Sequence, residues 1–428
     1  MAVSLAMASA GEPALPAFSA PAKPRIPSRV FLVTDYGAVG DGQTDCTIPI
    51  QKAISAALAT GGGTVNIPDG TFLSSVLTLG SNLRLNLSDK AILKMVPLSA
   101  FPHSAGKDDP PFLGASDCHD IEISGHGMID GQGEPWWTAF RAKQLAQRRP
   151  QFISIRNSKT LLFTGFTTLN PPNCHFAISN SEEVTFDGVI VSAPGTSSNT
   201  DGINLNTVRH CLVQNCTVAT GDDNIVLLTS SKPVTGGASS NFLITHCKLG
   251  VGHGLSIGSY TGGGVENVAV TDCSFDGTTA GIRLKADRDR GGLVQNISYD
   301  RITMNGVRNP VYISSYYTQS HTKDQKSVDA DPAQPVTQKT PVWRNISIRN
   351  LTVKDSPNAG IILGLPEMPV SHLTFQNVSI EAKTGMVVNN AKDIFFSESQ
   401  ISVSSGPKII QKNAQVTGID GAPSPTAP

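Results

Sequence analysis

Asn199-Thr200-Asp201-Gly202-Ile203-Asn204-Leu205, Gly221-Asp222-Asp223-Asn224-Ile225-Val226-Leu227, Gly252-His253-Gly254-Leu255-Ser256-Ile257 and Gly281-Ile282-Arg283-Leu284-Lys285 are four near-copies of one short strand. Similar places in the four copies hold acids, a histidine and a cationic pair. Three of the four strands alternate apolar and other residues with the period of a pleated chain, and each of the four is preceded by turn-forming Gly, Asn or Asp. If the copies stack, residues far apart in sequence become neighbours on one surface.

Further copies extend the pattern in both directions. They include Lys159-Thr160-Leu161-Leu162-Phe163, Glu183-Val184-Thr185-Phe186, His210-Cys211-Leu212-Val213 and Asn241-Phe242-Leu243-Ile244. Asn267-Val268-Ala269-Val270, Asn296-Ile297-Ser298-Tyr299, Asn345-Ile346-Ser347-Ile348, His372-Leu373-Thr374-Phe375 and Asp393-Ile394-Phe395-Phe396 continue it. Most spacings are roughly 21 to 31 residues, a period suited to one coil of a stacked repeat whose neighbours complete its core. The β-branched alternation and the many glycines and asparagines disfavour a helical solenoid. The fold predicted is all-β, a single-domain right-handed parallel β-helix over residues 30–416.

Ahead of the repeat lies one amphipathic stretch. From Thr47 to about Leu58, Ile50, Ile54, Ala57 and Leu58 share a helical face, Asp45 or Thr47 can cap the start, and Gly61-Gly62-Gly63 stops it. A lone helix in this place reads as a cap over the open end of the solenoid. Residues 1–29 read as a trimmed signal remnant or flexible arm, since Ala8-Ser9-Ala10 resembles a signal cleavage site without a basic region before it. Residues 417–428 read as a disordered tail. Two polar insertions, Ser231 to Ser240 and Gln319 to Lys339, read as loops able to wall a groove.

Composition excludes several classes. The 428-residue chain carries a formal net charge of −1, which gives no global field for nucleic acid. No apolar run is long enough to span a membrane. The seven cysteines show no zinc spacing and are too scattered for a disulfide scaffold. Cys216, Cys247 and Cys273 repeat at one place in three copies, as a stack of buried thiols would. No metal and no cofactor is called for. Arg288 and Arg290, interleaved with Asp287 and Asp289, read equally well as a solvated turn of mixed charge.

The four motifs supply chemistry. Adjacent parallel strands lie about 4.8 Å apart, so Asp201, Asp222 and Asp223 converge within about one coil, where like charges push at least one carboxyl upward. Carboxylates of unequal acidity are the equipment of glycosidic hydrolysis. His253 stands on the following coil, placed to tune or shuttle a proton. Arg283 and Lys285 flank Leu284, share one strand face, and offer a fork and a point charge suited to a sugar carboxylate.

These four ordered motifs resemble those of the polygalacturonases of glycoside hydrolase family 28, and the likeness extends from about Val33 to about Ser399, including Gly131-Gln132-Gly133 with Trp136-Trp137. The resemblance implies hydrolysis of α-1,4-galacturonosidic bonds in pectin with inversion. It implies Asp222 as general acid, Asp201 and Asp223 as activators of water, and His253 as support for the acid. It places Arg283, Lys285 and Tyr317 on the substrate, with Tyr316 adjacent as the alternative tyrosine. The partner implied is an anionic pectic polysaccharide or oligogalacturonide, met by a secreted or periplasmic monomer. Thr318 stands where a cysteine often follows the tyrosine, and no cysteine occurs after Cys273, which is the pattern of a bacterial-type member. One-coil spacing resembles the retaining carboxylate separation more than the wider inverting one. Rhamnogalacturonan or xylogalacturonan hydrolysis, a pectate lyase and a non-enzymatic polysaccharide-binding β-helix are the competing readings. Endo or exo cleavage is left open.

Overall fold

The computed structural model describes residues 18–230, 237–318 and 330–420. Their strands pair in parallel with the strands one repeat before and one repeat after, so the chain winds as a parallel β-helix. The stack that matters for function runs through β1 (Ile153–Arg156), β2 (Phe176–Asp187), β3 (Ile203–Gln214), β4 (Ile225–Leu228), β5 (Leu255–Ser259), β6 (Ala280–Ala286) and β7 (Asn309–Ser314).

Register follows from which side chains must leave water. Ile153, Phe176, Ile203, Ile225, Leu255, Ile282 and Val311 align in one column, all fully buried. Ile155, Ile178, Leu205, Leu227, Ile257, Leu284 and Ile313 form the second. The residues between them face outward, so Ser256 stands beside Val226 and Arg283. A slip of one residue would send both columns to the surface. These columns belong to one continuous core reaching from Val33 to Val416.

The coils turn at residues held in the left-handed region, and the repeat shows which types tolerate it. His210, Asn241, Asn267, Asn296, Asn345, His372 and Asp393 all have positive φ. Asparagine and aspartate pay less there than other residues with a Cβ. Their amides also form a ladder: Asn267 donates to Asn241 at 3.3 Å, Asn296 to Asn267 at 3.1 Å and Asn345 to Asn296 at 3.3 Å. Cys216, Cys247 and Cys273 stack as buried free thiols.

The first helix, α1 (Thr47–Ala59), buries Ile50, Ala53, Ile54 and Ala57. At its start the Asp45 carboxylate accepts from the Thr47 amide at 2.9 Å. A second helix, α2 (Glu134–Arg141), was not expected from the sequence, because two turns carry too short a periodic signal. Trp136 and Trp137 anchor it, the latter donating its indole N–H to the Pro171 carbonyl at 2.9 Å.

Residues 18–29 differ from the loose arm that their proline content suggests. The Ala22 amide donates to Glu183 and the Arg25 amide to Asp120, each at 2.8 Å, while the Ser19 carbonyl lies 2.7 Å from His210 Nε2. The segment is therefore tied along the side of several coils. The signal-like residues 1–17, most of the Ser231 to Ser240 and Gln319 to Lys339 insertions, and the end of the tail lie outside the described residues. Among the described residues no helix is long and apolar enough to cross a membrane.

Leu227 is the test of the column, since it is fully buried and stacked between Leu205 and Ile257. Leu227→Ala is expected to cost about 2–5 kcal/mol in guanidinium unfolding followed by circular dichroism. Ile410→Ala, at a residue 48% exposed, is expected to stay within about 0.5 kcal/mol of the parent. Equal midpoints for the two variants would contradict the register.

Candidate active site

Asp201, Asp223 and His253 each stand two residues before an aligned core position, Ile203, Ile225 and Leu255. The stack therefore brings them to one corner of three successive coils. Backbone bonds hold the corner: the Gly202 amide donates to the Asp223 carbonyl at 2.9 Å, and the His253 amide to the Asp222 carbonyl at 2.9 Å. The glycines around His253 are required by space. A Cβ on Gly252 would stand 2.6 Å from the Asn224 side chain, and one on Gly254 would stand 2.0 Å from the Ala280 carbonyl oxygen.

Asp223 is the most constrained of the acids, only 3% exposed. Its Oδ1 accepts from Arg283 Nη1 at 2.6 Å and from Ser256 Oγ at 2.7 Å, and its Oδ2 accepts from Lys285 Nζ at 2.6 Å. Burial by itself would raise this carboxyl, but Lys285 and Arg283 outweigh it and hold Asp223 below its ordinary value. The two cations, expected from sequence to serve the substrate, thus meet an acid of the protein first. They face outward with Leu284 inward, as the alternation requires.

Asp201 has the opposite environment. Its Oδ2 accepts from the Asn204 amide at 3.1 Å, while burial and the charges of Asp222 and Asp223 push its carboxyl up to about 7. The raised carboxyl is thus that of Asp201, whereas the family resemblance makes Asp222 the donor. Asp201 and Asp222 are both partly exposed, the Asp222 side chain by 25%, while Asp223 is buried. Asp222 accepts from the Asp223 backbone amide at 2.9 Å and from the Asn199 side-chain Nδ2 at 3.4 Å.

His253 Nε2 lies 3.9 Å from Asp222 Oδ1, and Nδ1 lies 2.6 Å from the Thr279 hydroxyl. Burial, and then the charge of Arg283, lower its pKa, so the ring stays neutral near neutrality. Of the two adjacent tyrosines, Tyr317 faces the site, its ring centroid 5.0 Å from Lys285 Nζ and 5.5 Å from Arg283 Cζ. Tyr316 turns away into a small apolar cluster with Leu363 and Leu365, its hydroxyl donating to Asp331 at 3.0 Å. Thr318, at the position of the missing cysteine, bonds Asp287 through its amide at 3.0 Å and its hydroxyl at 2.9 Å. Arg288 is no solvated turn residue, because it bonds Glu367 at 2.6 Å and Asp331 at 2.7 Å behind this wall.

Several participants carry no sequence signal. Arg149, 6% exposed, donates to the Asn199 side-chain oxygen at 2.7 Å, which turns the amide nitrogen of Asn199 toward Asp222. Fifty residues separate Arg149 from Asn199, so only the coil brings them together. Ser256, Thr279 and Asn204 likewise look like ordinary strand or turn residues in the chain. Among the described residues no group of histidine, cysteine and acidic side chains is disposed to hold a metal ion.

The chain matches the family model described as "Glycosyl hydrolases family 28" over residues 60–402. A model of "Rhamnogalacturonase A/epimerase, pectate lyase-like" matches residues 30–85. A probable polygalacturonase of Arabidopsis thaliana is 34% identical over 310 residues, which cover 70% of this chain and 64% of that protein. The chain thus spans under two thirds of that relative. An endo-polygalacturonase of Pectobacterium parmentieri is 29% identical over 371 residues, 80% of this chain and 86% of the relative. Among solved structures, an exopolygalacturonase from Thermotoga maritima superposes with a TM-score of 0.74 at 22% identity, covering 94% of both chains. At that identity the likeness speaks for the fold.

Asp201 makes the electrostatic account testable. Its carboxyl, raised from 3.8 to about 7, leaves the folded chain with more bound protons than the unfolded chain across that interval. Stability from this group therefore falls as pH rises through the window. Asp201→Asn is expected to melt about 2–4 °C above the parent at pH 8 and to match it near pH 4. A variant less stable than the parent at pH 8 would overturn the cause assigned to the shift.

Proposed function

The chain belongs to glycosyl hydrolases family 28, and on that premise we propose that it hydrolyses the α-1,4-galacturonosidic bonds of polygalacturonate. The observation that carries the proposal is the pairing of three converging acids with two buried cations and an aromatic ring. Arg283 and Lys285 offset two of the acid charges, and one shared proton offsets the third. A cluster of this kind holds a donor and an acceptor of protons side by side at neutral pH.

The steps follow from exposure. Asp222 is partly exposed, its side chain by 25%, so a sugar ring settling in the cleft covers it and makes its charge costly. The proton resting on Asp201 then moves to Asp222, which gives it to the leaving glycosidic oxygen. Asp201, now charged, and Asp223 flank a water and take its proton as the oxygen attacks the anomeric carbon. Asp223 accepts from two cations at 2.6 Å each, and a carboxylate so stabilised is a poor nucleophile. That favours direct attack by water, with inversion, over a covalent sugar intermediate, although coils stand only about 4.8 Å apart. His253, neutral, keeps Asp222 oriented from 3.9 Å. Arg283, Lys285 and Tyr317 meet the galacturonate beside the cut.

The competing reactions have less support. The rhamnogalacturonase-type match ends at residue 85, before any of the four motifs. A lyase has no use for three acids around one water. The same proposal takes the coil as right-handed, as crossovers between parallel strands nearly always are. It takes α1 as the cap of the first coil, and the enzyme as a monomer acting outside the cytoplasm, where a polymeric substrate is met.

Asp222→Asn is expected to lower kcat at least about 1000-fold with an unchanged far-ultraviolet spectrum. Substantial residual turnover of polygalacturonate would remove Asp222 from the role of donor. Since the required form carries the shared proton, activity should decline as pH rises through about 7. Proton NMR of the first product formed should show the inverted anomer; the retained anomer would sink the water mechanism, and ultraviolet-absorbing unsaturated products would sink hydrolysis altogether.

A further inference from the structure

The neutral ring of His253 stands between two unlike neighbours. Its Nδ1 lies 2.6 Å from the Thr279 hydroxyl, and its Nε2 lies 3.9 Å from Asp222 Oδ1. A neutral imidazole carries one N–H, so one nitrogen donates and the other accepts. The hydroxyl rotates to serve either form, whereas an ionised carboxylate can only accept. With the proton on Nδ1, the lone pair of Nε2 would face the Asp222 charge. With the proton on Nε2, an N–H dipole faces that charge and Nδ1 accepts from Thr279.

The backbone fixes where the Thr279 hydroxyl stands. Thr279 immediately precedes β6, the strand that carries Arg283 and Lys285. Its amide donates to the Gly252 carbonyl at 2.8 Å, and its carbonyl accepts from the backbone and side-chain nitrogens of Asn309 at 3.2 Å each. Thr279 is thus pinned between the coil of His253 and the coil of β7, and its branched Cβ restricts the rotamer. A separation of 3.9 Å is beyond hydrogen-bond reach, so the charge of Asp222 only chooses between the tautomers. The 2.6 Å bond to Thr279 holds the chosen one.

The tautomer acts on Asp222 in turn. Oδ1 of that acid accepts from the Asp223 backbone amide at 2.9 Å, and an Nε2–H on His253 adds a second donor on the same side. Oδ2 has the weaker partner, the Asn199 side-chain nitrogen at 3.4 Å. A proton on Oδ1 would point at two N–H groups, while a proton on Oδ2 can meet an incoming oxygen. We propose that Thr279 is a positioning residue: it holds His253 with its proton on Nε2, which keeps Oδ1 of Asp222 an acceptor and assigns the transferable proton to Oδ2. The part played by that proton rests on the reading of Asp222 as donor in polygalacturonate hydrolysis; the tautomer itself does not.

Thr279→Val keeps the branched shape and removes the donor. Nitrogen-15 NMR of the histidine rings, with His253 identified by the signal missing from His253→Gln, is expected to show a protonated Nε2 and a bare Nδ1 in the parent. In Thr279→Val the same ring is expected to populate the Nδ1–H form. The valine is expected to lower kcat on polygalacturonate about tenfold with KM within about twofold, and Thr279→Ser is expected to restore it. Added to His253→Gln, the valine should cost nothing further, because it acts through the ring. A protonated Nδ1 in the parent overturns the proposal. So does an undiminished kcat in Thr279→Val, or a loss that persists in the His253→Gln background. Hydrolysis by a parent with Nδ1–H removes the tautomer and leaves the activity standing, whereas Nε2–H in a parent without hydrolysis does the reverse.

Discussion

The double ion pair of Asp223 with Arg283 and Lys285 is the constraint on which the site depends. Three side chains from two non-adjacent coils are brought to 2.6 Å contacts inside the protein, with Ser256 from the intervening coil as a further donor. Removing both cations would leave an acid uncompensated at a buried position, which is costlier than never having placed the charges there. The pair also sets the other acids apart. By holding Asp223 ionised, it adds repulsion to the burial that already raises Asp201, whose carboxyl rises to about 7. Unequal acidity among chemically identical side chains is thus produced by burial at Asp201 and by where the cations stand at Asp223.

The coil makes such a cluster possible. Each strand donates and accepts along both neighbours, so its outward residues are fixed at the spacing of the ladder while the inward columns supply the burial. Left-handed corners filled by asparagine, aspartate or histidine let the chain turn without surrendering the stacked register. Charged residues can then crowd on one face because the opposite face of the same strands, fully buried from Ile203 to Val311, carries the stability. The site is strained electrostatically on a scaffold that is not strained in packing.

Much of this was legible in the chain. The residues that open each copy, such as Asn267, Asn296 and Asn345, are the corner residues of the structure, since only a few side chains tolerate positive φ and their recurrence marks each turn. The alternation in Gly281-Ile282-Arg283-Leu284-Lys285 placed both cations on one face, and the stack placed that face beside Asp223. Less legible were elements with weak periodicity or no local pattern. Helix α2 is too short to announce itself, and residues 18–29 look unstructured until their amides meet Glu183 and Asp120. Arg149 shows nothing in sequence that distinguishes it from Arg148, yet one is buried against Asn199 and the other points to water.

The sequence by itself determined the repeat, the parallel stacking, the approach of Asp201, Asp222, Asp223 and His253 to one place, and the company of Arg283 and Lys285. These are consequences of periodicity, and periodicity is a local property that a chain cannot hide. Only the tertiary structure decided which acid the cations hold, which carboxyl is pushed up, which of Tyr316 and Tyr317 faces the cleft, and that Arg149 turns Asn199 toward Asp222. Those outcomes depend on distances between coils and on how much water each group loses, and both exist only once the coils are stacked.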